Sequence, residues 1–194
     1  GYVYQKWYFT KAAKDGESGL KENIELVRVL REELPDGHLM FDNLSTRLEG
    51  IVKKIMKGFG TAAAQNSPKG YQGFNPALNP RYDVNKAKNL MKEAGYPNGF
   101  ECTMIAPNNR YVNDEKIAEA TVAMLAKINI KVSLKTMPKA QYWDEFDAQV
   151  ADMQMIGWHS DTEDSGNFTE FLGMCPDKET GYGQYNSGNY CNPI

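Results

Sequence analysis

The chain contains 194 residues, 41% of them hydrophobic, which is enough to build the core of one domain or of one large lobe. Its formal net charge at pH 7 is −3, so it lacks the basic surface that nucleic-acid binding requires, and no nucleic-acid partner is expected. No apolar run approaches the ~18 residues of a membrane-spanning helix, and the first residues do not have the pattern of a signal peptide.

The first part of the chain predicts a strand, two helices and a long loop. Aromatic residues over 2–9 are typical of a strand, and apolar residues at helical spacing predict a helix over 17–33. A second helix is predicted over 43–59. Its apolar residues share one face: Leu44, Leu48, Ile51, Ile55 and Phe59. The Pro-, Gly- and Asn-rich segment 60–82 then forms a loop whose length favours a functional role.

Residues 83–158 alternate between helical and strand patterns. Helices are predicted over 83–95, 113–129 and 139–150, and strands over 100–107, 131–137 and 152–158. This alternation predicts an α/β fold with a mostly parallel sheet flanked by helices. Ligands of such folds bind beyond the carboxyl ends of the strands, so loops 106–113 and 157–168 are the candidate site loops.

The second of these loops, GWHSDTEDSGNF, concentrates the polar chemistry of the chain. An EF-hand calcium loop beginning at Asp161 would need a glutamate at position 172, where the chain has Leu172. A small metal-dependent hydrolase using His159, Asp161 and Asp164 is one alternative, although the other histidine, His38, is distant in sequence. No nucleophile-elbow, dinucleotide or Walker A motif occurs, so no enzyme activity and no cofactor are expected.

Ion pairing combined with aromatic packing is the remaining chemistry of this loop. A carboxylate at a strand end beside a tryptophan can hold an ammonium group, because the charge pairs with it and the ring packs against it. The residues alone leave two alternatives open. Trp158 can equally be a core residue, and Asp161 can cap a helix over 164–172.

The cysteines leave the redox state of the chain open. Cys175 and Cys191 lie 16 positions apart in a tail rich in Gly, Asn and Tyr, and none of the three cysteines belongs to a CxxC motif. A disulfide between them would suit an exported protein. Two free thiols are the alternative.

Linked segments of the chain resemble the extracellular solute-binding proteins of family 5, which serve dipeptide and oligopeptide ABC importers. In chain order these segments are LEGIVKKIMKGFGTAA (48–63), NSPKGYQGFNPAL (66–78), YDVNKAKNLMKEAGYPNGF (82–100), PNNRYVND (107–114), LAKINIKV (125–132), GWHSDTEDSGNF (157–168) and YNSGNYCNPI (185–194). Residues 43–194 thus resemble the C-terminal lobe of such a receptor. Leu48 departs from the family pattern, which has an arginine there, and residues 1–42 form a divergent N-terminal segment.

The resemblance implies a type II periplasmic-binding-protein-like lobe, a single compact domain that binds a peptide or another amine-bearing solute. The receptor would close this lobe and a second, N-terminal lobe over the solute and deliver it to an ABC permease, in a periplasmic or extracytoplasmic location. The implied ligand-binding residues are Asp161 as partner of the α-amino group, Trp158 in the pocket wall, Arg110 as partner of the carboxylate, and His159 beside them. An orphan lobe that acts as an interaction module is a further alternative.

Overall fold

The computed structural model describes residues 4–9, 48–80, 82–160, 162–187 and 191, with the backbone alone described for 4–9. The helix predicted over 17–33 lies outside the described residues, as does Asp161.

The described elements follow the predicted alternation. They are β1 (Tyr4–Phe9), α1 (Leu48–Lys54), α2 (Val84–Glu93), β2 (Glu101–Pro107), α3 (Asp114–Leu125), β3 (Lys131–Met137), α4 (Lys139–Asp147), β4 (Met153–Trp158) and α5 (Ser165–Phe168). A 3-10 turn, Ala126–Ile128, continues α3, and a π-helical turn, Thr169–Gly173, continues α5. The helices and strands predicted after residue 83 are therefore confirmed, with their ends displaced by a few residues. None of the described helices has the length and apolar character needed to cross a membrane.

Helix α2 shows how local sequence produces these elements. The carboxylate of Asp83 accepts a 2.9 Å hydrogen bond from the backbone N–H of Lys86, which satisfies one of the unpaired donors in the first turn. Ala87, Leu90 and Met91 recur at helical spacing and are buried against the sheet.

Helix α1 ends earlier than predicted. It ends at Lys54, and Phe59, predicted to share its apolar face, is 81% exposed. Lys57 and Gly58 adopt positive φ angles of 52° and 85°, which an α-helix cannot contain, so the chain turns away before Phe59. Ile51 keeps its predicted place in the core.

The four described strands form one sheet in the order β1-β4-β2-β3. Strand β2 runs parallel to β3 along its whole length and parallel to β4 at Met104↔Met153 and Ile105↔Gln154. Strand β1 pairs with the outer edge of β4 in the antiparallel direction, from Tyr4↔Trp158 onward. The predicted mostly parallel sheet is confirmed.

Helices cover both faces of this sheet. Successive residues of a strand point to opposite faces. The face covered by α1, α2 and α3 receives Cys102, Met104, Ala106, Met153 and Met155. The face covered by α4 and α5 receives Ile105, Ile156 and Trp158. Trp158 therefore lies at the last position of β4, on the α4 side of the sheet.

Candidate functional site

The loops that follow β2 and β4 are joined at the carboxyl edge of the sheet. The backbone N–H of Gly157 donates a 2.8 Å hydrogen bond to the hydroxyl oxygen of Tyr111, and that hydroxyl donates to the carbonyl of Gly157 at 3.4 Å. The two loops selected from the predicted topology, 106–113 and 157–168, are therefore in direct contact.

Trp158 is half-buried and held on several sides. Its indole Nε1–H donates a 2.7 Å hydrogen bond to Oδ1 of Asn167. The ring centroids of Phe171 and Tyr185 lie 5.3 and 5.0 Å from that of Trp158, in tilted arrangements that favour aromatic contact. The indole is thus a fixed apolar surface at the end of β4.

The loop after Trp158 is organised by a buried serine. His159 is exposed, whereas Ser160 is only 3% exposed. The Ser160 hydroxyl accepts from the backbone N–H of Thr162 at 3.3 Å and donates to the carbonyl of Asp164 at 3.4 Å. These contacts fix the chain on either side of position 161, which itself lies outside the described residues.

Asp164 begins helix α5. Its carboxylate accepts a 2.6 Å hydrogen bond from the backbone N–H of Gly166, the N-cap arrangement. The alternative of a metal-dependent hydrolase is not favoured, because this acid has a structural partner. Within the described ranges, no group of three or more His, Cys, Asp and Glu side chains is arranged to hold a metal ion.

The first loop is shaped by a buried carboxylate. Asp114 is 2% exposed, and its Oδ2 accepts 2.9 Å hydrogen bonds from the backbone N–H groups of both Arg110 and Tyr111. Its Oδ1 accepts a third, from Glu115, also at 2.9 Å. The turn that results leaves the Arg110 side chain exposed, with its guanidinium carbon 4.8 Å from the centroid of the Tyr111 ring.

The long loop 60–82 is bonded to the second site loop, 157–168, through backbone groups. Backbone bonds join Gln72 N–H to the Glu163 carbonyl at 3.2 Å and Ser165 N–H to the Gln72 carbonyl at 3.1 Å. Within the long loop, the buried amide of Gln65 exchanges two hydrogen bonds with the backbone of Asn75, at 2.7 and 2.8 Å. The loop therefore has a fixed structure that supports the site.

A disulfide and a set of backbone bonds hold the tail against Trp158. Cys175 and Cys191 form a disulfide, so the alternative of two free thiols is wrong. Tyr185 N–H donates to the Phe171 carbonyl at 2.9 Å, which places the Tyr185 ring against the indole.

The tyrosine hydroxyls near β4 are held in their neutral form. Burial is the main cause that raises the pKa of Tyr111. Burial, followed by the proximity of Tyr111, also raises the pKa of Tyr142, whose hydroxyl donates to the carbonyl of Met155. Both hydroxyls can therefore act as donors throughout the physiological pH range.

Sequence reasoning missed the residues that position the site: Tyr111, Asp114, Ser160, Asn167 and Tyr185. All five fall inside or beside the segments that carry the family resemblance. A polar residue within such a segment was the available signal, but its partner is set by the tertiary structure.

Curated relatives match about two thirds of the chain. Heme-binding protein A of Haemophilus influenzae is 33% identical over an alignment of 140 residues that covers 66% of this chain and 26% of that protein. The dipeptide-binding protein of Escherichia coli is 31% identical over 137 residues, 69% of this chain and 26% of that protein. The chain thus spans about a quarter of the length of these relatives.

Solved structures share the fold. The ABC transporter-associated periplasmic binding protein DppA from Helicobacter pylori, in complex with peptide STSA, superposes with a TM-score of 0.74 and 26% identity over 99% of this chain and 34% of that chain. The dipeptide-binding protein from Pseudoalteromonas in complex with Met-Leu has a TM-score of 0.69 at 24% identity, over 98% of this chain and 34% of that one. The predicted type II periplasmic-binding fold is confirmed.

The family comparison covers both site loops. The sequence model described as bacterial extracellular solute-binding proteins, family 5 Middle, matches residues 44–179. That range contains most of the segments on which the resemblance was recognised. The chain belongs to the bacterial extracellular solute-binding proteins of family 5.

Proposed function

We propose that the chain forms one lobe of the substrate-binding receptor of an ABC importer and binds peptides or similar amine-bearing solutes. Family membership and the likeness to a peptide-bound receptor support this proposal. The observation that carries it is the fixed Trp158 indole at the carboxyl end of β4, where α/β folds bind their ligands.

Asp161 is the proposed counter-ion of the ligand's ammonium group. It follows Trp158 by three residues, directly after the buried Ser160. A carboxylate at this position can pair with an α-amino group while the indole packs against the adjoining apolar part of the ligand. Exclusion of water on lobe closure would strengthen both interactions.

Arg110 and His159 are the other proposed ligand-binding residues. Both side chains are exposed on loops that meet at the carboxyl edge. The guanidinium of Arg110 presents donors in the planar arrangement that suits a carboxylate. His159 would contribute to the wall beside Trp158.

A second lobe and a membrane permease are the proposed partners. The receptor closes two lobes over the solute in a hinge movement and carries it to the permease. The proposed location is periplasmic or extracytoplasmic. The disulfide between Cys175 and Cys191 supports this location, because such bonds persist in oxidising compartments.

Calorimetry on the full-length receptor that carries this lobe tests the ligand class. The ligands are Met-Leu, Ser-Thr-Ser-Ala, glutathione and haem, chosen from the solutes that the relatives bind by name. We expect a peptide to bind and haem not to. Tight binding of haem alone, or no binding of any peptide, would overturn the proposed ligand class.

A double comparison tests the role of Asp161. We expect Asp161→Asn to weaken binding of the free peptide by about 10-fold or more, the usual scale for a charge-assisted hydrogen bond. The same variant should leave the affinity for the N-acetylated peptide unchanged, because that peptide has no ammonium group. Glu163→Gln, an exposed acid of the same loop, is the matched control. Equal losses for both peptides would rule out the ion pair.

A further inference from the structure

The pairing of strand β4 with its inner neighbour β2 stops before β4 reaches the site. Its pairing with β1 continues to Trp158, whereas its pairing with β2 stops at Gln154. In the part of the chain that the structure describes, the last residues of β4 therefore have a strand partner on one side only. A strand end with unpaired backbone groups is free to move unless other groups bond to it.

Two tyrosine hydroxyls bond the backbone of β4 in this last part of the strand. Tyr142, from α4, donates to the carbonyl of Met155, and Tyr111, from the loop after β2, bonds both the N–H and the carbonyl of Gly157. The two rings approach β4 from opposite faces of the sheet, since Tyr142 packs with Ile156 and Tyr111 packs with Met155. Both hydroxyls thus bond backbone groups of β4 beyond the last residue that pairs with β2.

The two tyrosines differ in what they connect. Tyr142 joins β4 to a helix in the core. Tyr111 joins β4 to the loop that carries Arg110, and it bonds the residue directly before Trp158. Asp114 accepts a 2.9 Å hydrogen bond from the backbone N–H of Tyr111. Tyr111 is therefore held both at its backbone and at its hydroxyl.

We propose that Tyr111 is a positioning residue that locks the Arg110 loop to the Trp158 loop, so that the two loops meet the ligand as one rigid surface. The effect on affinity rests on the proposed function, but the lock itself does not. Without the hydroxyl, Gly157 loses its partner and Trp158 and Arg110 sample separate positions. A ligand then has to order both loops when it binds, which lowers its affinity.

Hydrogen exchange in the ligand-free protein tests the lock. Tyr111→Phe removes only the hydroxyl and keeps the ring in its packing. We expect the Gly157 amide to exchange about 10-fold faster in this variant, in line with the loss of one hydrogen bond. Tyr142→Phe is the matched control, since it removes the same kind of bond two residues earlier in the same strand. Once exchange rates are corrected for the variant's change in overall stability, the Gly157 amide should exchange in Tyr142→Phe as fast as it does in the wild type.

Peptide affinity in the full-length receptor tests the consequence, with Met-Leu and Ser-Thr-Ser-Ala as the probes. We expect Tyr111→Phe to weaken binding by about 5- to 10-fold, mainly through faster dissociation, and Tyr142→Phe to change it by less than about 2-fold at equal loss of stability. Equal affinity losses in both variants would show a stability effect only and would overturn the positioning role. If the wild-type receptor binds neither peptide, the proposed function fails, and Gly157 exchange alone then decides whether the lock exists.

Discussion

The indole Nε1–H of Trp158 donates a 2.7 Å hydrogen bond to Oδ1 of Asn167, nine residues further along the chain. This bond closes the loop 157–168 on itself, so the tryptophan at the end of β4 and the first turn of α5 form one unit.

Loss of the Asn167 side chain should release the indole. Asn167→Ala removes the acceptor, and we expect about 1 kcal/mol of destabilisation, with the Trp158 indole N–H resonance shifting toward that of solvent-exposed tryptophan. Urea unfolding and ¹⁵N-indole NMR measure these effects. Asn167→Asp retains an acceptor at the same place and should preserve the resonance. An unchanged indole shift in the alanine variant would show that the bond is not formed in solution.

Reduction of the disulfide should loosen the tail that covers Trp158. Cys175 and Cys191 are separated by 16 positions, and a cross-link across a loop of about 15 residues contributes about 3 kcal/mol by chain entropy. We therefore expect a phosphine reductant to lower the thermal midpoint and to change the indole resonance of Trp158 through loss of Tyr185. The double variant Cys175→Ser/Cys191→Ser should not respond to the reductant. An equal midpoint in the oxidised and reduced wild type would contradict the prediction.

Gly73 should tolerate no side chain. It has φ +86°, and a Cβ there would lie 2.9 Å from the Cβ of Ser165 and closer still to its hydroxyl. Gly73→Ala should therefore push the long loop off the second site loop. Gly70→Ala is the matched control, because Gly70 has φ +99° with no atom within 4 Å of the new Cβ.

The difference between the two glycine variants isolates the clash from the backbone strain that they share. We expect Gly73→Ala to be less stable than Gly70→Ala by about 1–3 kcal/mol, the usual range for overpacking. Chemical denaturation measures that difference. Equal stabilities would mean that the contact between Gly73 and Ser165 is loose in solution.

The Asp114 carboxylate should be required for the shape of the first site loop. Asp114→Asn turns one of its oxygens into a donor that faces backbone N–H groups, so a buried donor loses its partner. We expect a loss of about 2–3 kcal/mol in unfolding free energy, the cost of leaving a buried polar group unsatisfied. Asp144→Asn, an exposed acid on α4, should change stability by less than about 0.5 kcal/mol. Similar effects of the two variants would refute the structural role of Asp114.

Cys102 should be unreactive in the folded protein. It is 8% exposed, and burial, followed by the charge of Asp152, raises the pKa of its thiol from 9.0 to about 11. At pH 8 only about one thiol in a thousand is then ionised, so a disulfide reagent should titrate no thiol until urea unfolds the chain. Rapid native labelling would contradict this burial.

The same thiol should make folding sensitive to alkaline pH. The unfolded thiol loses its proton near pH 9.0, whereas the folded one keeps it until about pH 11, so rising pH in this window favours the unfolded chain. Stability should fall between about pH 9 and pH 11, and less steeply in Cys102→Ala. Denaturation midpoints across this range measure the slopes, and parallel slopes would count against the effect.

Phe59 and Trp158 show where residue patterns succeed and where they fail. Helical spacing placed Phe59 on the face of a long helix, but two residues with positive φ angles end that helix first. Apolar spacing cannot detect this, because it does not register backbone conformation. Trp158 was placed correctly at a strand end, since the alternation of helices and strands determines which segments reach the carboxyl edge.

The sequence by itself determined the α/β alternation, the mostly parallel sheet and the family, because each depends on periodicity and on linked local motifs. Tertiary structure alone decided that Tyr111 bonds Gly157, that Cys175 pairs with Cys191 and that Tyr185 covers Trp158. The first of these contacts joins residues 46 positions apart. The local sequence around a hydroxyl, a thiol or a ring does not identify its distant partner. Only the packing of the sheet, its helices and the tail selects that partner.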